Sequence, residues 1–293
     1  VLLAALFAQP AFSFTNHPRQ DRGIREGAGV RVYGTVQIDL TESGSESFAA
    51  MRARLSYAWR SSEALFGGFA KVDTFVNSTG LREPDIYLGV FAKTDKYALT
   101  FGSIKSGWDK IEPRGFGAVG WDAKTAAELD THKIRVDADF PGQSGGGLIQ
   151  GWDVRYSGSY SLNEELSTGV SFRRNDTTLL AGLNYDVGNS QVDSSVLGFR
   201  QRLSHEVKIG GSLTKIGNSK EYSFGGKMAL SEKSTIRGDV TRTDNSGYSS
   251  LRVRGVFGYK FDPKTSAFGA IEANKPDGGD FNTRLMVGGI MRF

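Results

Sequence analysis

From Val30 to the C-terminus, apolar and polar positions alternate with a period of two, as in strands that have one apolar and one wet face. Val30, Val32, Val36, Ile38 and Leu40 alternate with Arg31, Tyr33, Thr35, Gln37 and Asp39. Ala49, Met51, Ala53, Leu55, Tyr57 and Trp59 oppose Arg52, Arg54, Ser56 and Arg60, and at the far end Leu285, Val287 and Met291 oppose Arg284 and Arg292. The pattern predicts sixteen strands, near 30–41, 48–60, 64–76, 83–93, 96–105, 132–140, 148–160, 165–174, 177–187, 191–203, 205–216, 220–230, 233–243, 248–261, 264–274 and 282–293. Most linkers are two to six residues with turn chemistry, such as Asn189-Ser190, Asp262-Pro263 and Asp277-Gly278-Gly279, so consecutive strands are expected to pair antiparallel. One connection stands apart. Ser106 to Thr131, 26 residues, separates strands five and six, and a single long insertion in a meander is usually functional.

A soluble sandwich and a membrane barrel both need this alternation, and the placement of charge separates them. A sandwich buries its apolar faces and leaves sheet edges, whereas a transmembrane barrel turns them to lipid, lines a wet lumen with polar groups and has no edge. The polar faces here carry roughly two basic residues for each acidic one, while the apolar faces carry charge only near strand ends, at Arg82, His132, Asp193, His205 and Arg242. Aromatic residues on the apolar face gather at the ends of even-numbered strands: Tyr57, Trp59, Phe140, Phe199, Tyr259, Phe261 and Phe293. That is the placement of an interfacial girdle. A mean hydropathy of −0.32 suits a barrel, and no long apolar window beyond the extreme N-terminus offers a spanning helix. The expected fold is therefore all-β, a closed antiparallel transmembrane β-barrel of about sixteen strands, with the first strand near Val32 beside the last near Val287.

Other features bound the function. The chain of 293 residues has no cysteine, which removes disulfides, thiol catalysis and cysteine-based zinc sites. A formal charge of +4 is too balanced for nucleic acid as a partner. Residues 1–13 read as a truncated signal peptide, an apolar run closed by Ala11 and Ser13 with cleavage expected after Ser13, and 14–28 as a flexible lead-in to a barrel at 29–293.

The assembled motifs resemble the general diffusion porins of Gram-negative outer membranes. Val30-Arg31-Val32-Tyr33-Gly34 is similar to that family's first strand, and Arg54-Leu55-Ser56-Tyr57 followed by Glu63-Ala64-Leu65-Phe66-Gly67-Gly68 to its second hairpin. Lys133-Ile134-Arg135-Val136-Asp137 resembles the strand after its constriction loop, and Val287-Gly288 closing on Phe293 its C-terminal assembly signal. The chain departs from the family at Ile290-Met291, where a basic or histidine pair is usual, and in the loop, where Glu112-Pro113-Arg114-Gly115-Phe116-Gly117 replaces Pro-Glu-Phe-Gly-Gly. The resemblance implies a homotrimer with the third loop folded into the pore. It also implies an outer-membrane location, with membrane lipid, lipopolysaccharide and the barrel assembly machinery as partners.

A wet barrel selects where it is narrow, and only the long insertion, 106–131, can narrow it. Its acidic residues are Asp109, Glu112, Asp122, Glu128 and Asp130, and the facing basic wall is expected from Arg52, Arg54, Lys71, Lys133 and Arg135, with Arg82 matched through the family's fourth strand. Opposed walls of this kind set a transverse field, and arginine keeps its charge at every physiological pH. The basic excess predicts passive diffusion of ions and small hydrophilic solutes with weak anion preference. Two alternatives compete: a substrate-specific channel, and an outer-membrane hydrolase. Of three histidines, His17 lies in the lead-in and His205 at a turn, so Asp130 near His132 is the sole Asp/His candidate for the enzyme reading. No catalytic residue, metal site or cofactor is expected.

Overall fold

The computed structural model describes Ile24 and residues 26–41, 44–77, 80–81, 84–104, 106–107, 132–140 and 151–292. Its strands are β1 (Gly27–Thr41), β2 (Gly44–Ser61), β3 (Ala64–Asn77), β4 (Gly80–Leu81), β5 (Asp85–Lys93), β6 (Tyr97–Ser103), β7 (His132–Phe140), β8 (Asp153–Ser161), β9 (Glu165–Arg174), β10 (Thr177–Asp186), β11 (Gln191–Arg202), β12 (Val207–Ile216), β13 (Ser219–Ala229), β14 (Ser234–Asn245), β15 (Tyr248–Lys260), β16 (Thr265–Pro276) and β17 (Asn282–Arg292). All belong to one antiparallel sheet, and β1 pairs with both β2 and β17, so the sheet closes. The two-residue β4 lies on β3 beyond the end of β5, so those two share one stave and the barrel has sixteen. Among the described residues there is no helix.

Strand limits follow the alternation closely, and the differences have causes. β1 begins at Gly27, inside the expected lead-in, because residues 27–32 pair with β2 while 33–41 pair with β17. Val32 therefore faces Ala53, and the residue opposite Val287 is Ile38. Tilted staves must close with a stagger, which shifts partners along the seam. The turn at 162–164 lies at the rim where the long loop leaves, held by the Leu162 amide donating to the His132 carbonyl at 3.2 Å. Residues 1–23 (hence the signal reading and most of the lead-in), Arg82, Asp109, Glu112, Asp122, Glu128, Asp130 and Phe293 lie outside the described residues.

The wall is inverted relative to a soluble protein. Val36, Ile38, Leu55, Ile86, Leu88, Leu197, Phe224 and Val287 are exposed, while Thr35, Asp39, Asp73, Thr100, Arg135, Asp137 and Asp239 are buried. Such an outer belt in water would be an aggregation surface, and in lipid it is the stable arrangement. Aromatic contacts mark the rim at which β1 begins: Tyr57 with Trp59 (6.3 Å between ring centres), Trp59 stacked on Phe66 (6.0 Å), Tyr97 edge-on to Phe140 (6.2 Å) and Tyr259 edge-on to Phe261 (5.2 Å). Amphipathic and aromatic rings favour the membrane–water boundary. Outer-face charges sit close to strand ends, and to those expected the register adds Arg174, Lys215, Lys220 and Lys275.

Inside the same rim lie two apolar clusters. One joins Ile24, Ala58, Leu65, Phe69, Phe91 and Ile104, the other Val256, Phe268, Ala270, Met286 and Ile290. Phe69 lies so close over Gly89 that a Cβ there would meet its ring at 2.5 Å, and Phe268 covers Gly288 in the same way. A glycine on the neighbouring strand lets each ring lie against the wall rather than project across the lumen.

Candidate functional site: the barrel lumen

Alternation fixes which side chains enter the lumen, and register fixes which of them meet. On the inner face of β2 and β3, Arg52 stands opposite Asp73, and Arg54 lies between Arg31 of β1 and Lys71 of β3. Asp73 collects the charge: it accepts from Arg52 through Nε at 2.8 Å and Nη2 at 2.7 Å, and from Lys71 Nζ at 2.7 Å. Lys71 Nζ also sits 4.4 Å from the centre of the Tyr87 ring, which adds a cation–π contact. Arg52, Arg54 and Lys71 thus stand close together on the inner face of β2 and β3.

Lys133 and Arg135 face inward too, but on β7, with β5 and β6 between them and that wall. Arg135 is fully buried, its Nε 3.2 Å from Asp137, which also accepts from the Ser157 hydroxyl at 2.7 Å. The root of the long loop lies close by. Gly102, at φ 134°, a value side chains disfavour, is paired with Gly89 and Lys133 one residue before the end of β6. Ile104 then packs into the first apolar cluster, and the Gly107 amide donates to Ser159 Oγ at 2.8 Å. Ser159 is the β8 partner of Arg135, so the loop root docks inside the wall beside that arginine's strand partner. A Cβ at Gly107 would meet the Ser157 carbonyl oxygen at 2.5 Å and that of Ser167 at 2.7 Å, so only glycine allows this approach.

Elsewhere the inner wall alternates in sign. Asp239, Arg254, Glu272 and Arg284 are successive partners on β14–β17. Arg254 donates to Glu272 through Nε at 2.6 Å, and Arg284 is paired with Asp39 across the seam. His132, the histidine of the enzyme reading, is exposed on the outer face beside the Phe101 ring (6.3 Å) and not in the lumen. Alternation could locate the inward charges, but the docking of the loop root on β8 had no signal in it beyond the glycine at 107.

A closed sixteen-stave antiparallel barrel, apolar outside and charged inside, with a loop root turned inward, is the architecture of porins. The chain is similar in structure to a variant of the porin of Rhodopseudomonas blastica, at a TM-score of 0.70 and 15% identity, covering 91% of this chain and 100% of that one. A second variant of that porin gives 0.69 at 15% identity, and a chain described for asymmetric conductivity of engineered proteins gives 0.66 at 14%, each with the same coverage. No protein-family model and no curated protein matches the chain. At this identity the likeness is one of fold.

Proposed function

We propose that the protein is an outer-membrane porin of a Gram-negative bacterium, a water-filled channel for passive diffusion of ions and small hydrophilic solutes with weak anion preference. The observation that carries this reading is the inverted wall, apolar to lipid and charged to the lumen, closed by β1 on β17. In this reading the rim bearing the aromatic contacts faces the periplasm, and the protein works as a homotrimer among lipid and lipopolysaccharide after insertion by the barrel assembly machinery. Residues 106–131 form the constriction, with Asp109, Glu112, Asp122, Glu128 and Asp130 facing Arg52, Arg54 and Lys71, while Lys133, Arg135 and Arg82 contribute to the surrounding field.

The preference for anions follows from the basic excess of the lumen, since a charged low-dielectric channel concentrates counter-ions. Screening over about 8 Å at physiological salt keeps it weak. Reversal potentials across a bilayer in a KCl gradient test it: an anion-selective sign that fades as salt rises is expected, and a cation-selective sign at low salt would refute the preference. Liposome swelling tests the diffusion itself. Rates that fall smoothly with sugar size are expected, and saturation by one sugar would replace the general channel by a substrate-specific one.

A further inference from the structure

The chain enters β1 from inside the barrel. Gly27, the first residue of β1, is paired with Ala58 and has a φ of 92°, a value side chains disfavour. Ile24, three residues earlier, is buried in one cluster with Ala58, Leu65, Phe69, Phe91 and Ile104. Each wall member of that cluster faces the lumen: Ala58 shares the parity of Arg52 and Arg54 on β2, Leu65 and Phe69 that of Lys71 on β3, and Phe91 that of Tyr87, the β5 partner of Lys71. The lead-in at Ile24 therefore lies on the lumenal side of the wall. Three residues of chain span at most about 11 Å, so Ile24 stays against the rim at which β1 begins.

Two side chains of the cluster come from outside the strands, Ile24 from the lead-in and Ile104 from the root of the long loop. An inward apolar ring in a wet lumen meets water unless something covers it, yet Phe69 and Phe91 are each only 5% exposed and Ile104 is fully covered. The loop root thus has two anchors on the lumen wall. One is polar, the Gly107 amide on Ser159 Oγ of β8. The other is apolar, at Ile104, and the lead-in shares it. Removing the Ile24 side chain opens a void in the cluster that holds Ile104, which loosens the apolar anchor and leaves the polar one.

We propose that Ile24 is a positioning residue of the pore: the lead-in packs with the base of the constriction loop and sets the position from which that loop starts. The lead-in is in this account a working part of the channel and not a tether outside it. The inference rests on the reading of residues 106–131 as the constriction.

Single-channel recording and liposome swelling with full-chain variants test it. Ile24→Ser is expected to shift both as Gly107→Ala does, to a larger and noisier open current and faster entry of the larger sugars, while Ile24→Leu keeps the parent's behaviour. Ile290→Ser, in the second apolar cluster and buried to a similar degree, is expected to lower the denaturant midpoint as Ile24→Ser does without moving the current or the sugar profile. An Ile24→Ser channel with the parent's current and sugar profile, beside an altered Gly107→Ala channel, would overturn the proposal alone. If neither channel is altered, the constriction reading falls and the proposal with it, and an equal shift in Ile290→Ser would overturn the proposal as well. Because the chain has no cysteine, the single thiol of Ile104→Cys reports its cover without conduction. In the folded barrel that thiol is expected to react with a water-soluble maleimide at least about tenfold faster when Ile24→Ala is added, and equal rates would overturn the shared anchor.

Discussion

The wall at β2–β3 and the wall at β11–β14 both line the lumen with cations, and they treat that charge differently. On the first, the row Arg31, Arg54 and Lys71 is backed by Asp73, a nearly sealed carboxylate shared by Arg52 and Lys71. On the second, Arg202, Lys208, Lys227 and Arg237 are successive partners, and the next inward row runs Arg200, Gly210, Gly225 and Asp239. The first wall sets a carboxylate within hydrogen-bond distance of two of its cations, and the second sets four cations level across adjacent strands. A net lumen charge alone would not separate these two walls, because it ignores how register sets cations and carboxylates beside one another.

The largest expected effect comes from removing the shared carboxylate. Asp73→Ala leaves Arg52 and Lys71 together without their common acceptor and is expected to cost about 3 kcal/mol, read as a lower denaturant midpoint for barrel unfolding. An unchanged midpoint would show that the first wall is no more tightly held than the second. Next is the loop root: Gly107→Ala forces a methyl against two carbonyl oxygens and is expected to cost about 2 kcal/mol of docking. In single-channel records this should appear as a larger and noisier open current, and traces identical to those of the parent would contradict the placement of the root inside the wall.

The second wall is expected to respond in the opposite direction. Lys208→Gln with Lys227→Gln removes cross-strand repulsion, so stability should rise by about 0.5 kcal/mol while anion preference falls. A loss of stability would mean that these lysines are held as firmly as Lys71. The smallest effect belongs to a turn. Asp262 accepts from the amides of Lys264 (2.6 Å) and Thr265 (2.8 Å), which hold its carboxyl below the usual carboxylate range. A depressed folded value contributes stability above the unfolded pKa of about 3.9, lost as pH falls through the folded one. Thermal transitions should thus drop on acidification below about pH 4 slightly more in the parent than in Asp262→Asn, and parallel curves would deny the turn this role.

Much of the fold was legible because a barrel writes both its environments into alternate residues: Val36, Ile38 and Leu40 against Gln37 and Asp39 specify a strand, its faces and its surroundings together. What alternation cannot specify is the offset between strands. The pairing of Ile38 with Val287 comes from barrel stagger, a global quantity, and the four-cation row exists only once Arg202, Lys208, Lys227 and Arg237 are brought level by register. Parity likewise puts Phe69 and Phe268 inside without saying that each lies over a glycine of the next strand. The inward placement of Arg52, Arg54 and Lys71 was readable from spacing, whereas the docking of Gly107 on Ser159, the strand partner of Arg135, depends on a contact with β8, remote in sequence.

The central claim, that the charged inner face encloses a continuous path of water, is tested most directly by conductance of the refolded chain in planar bilayers over a range of KCl concentrations. The account predicts discrete openings whose conductance rises linearly with salt and whose steps come in groups of three. A protein that inserts as a folded, heat-modifiable barrel yet leaves the membrane silent at every salt concentration would contradict it.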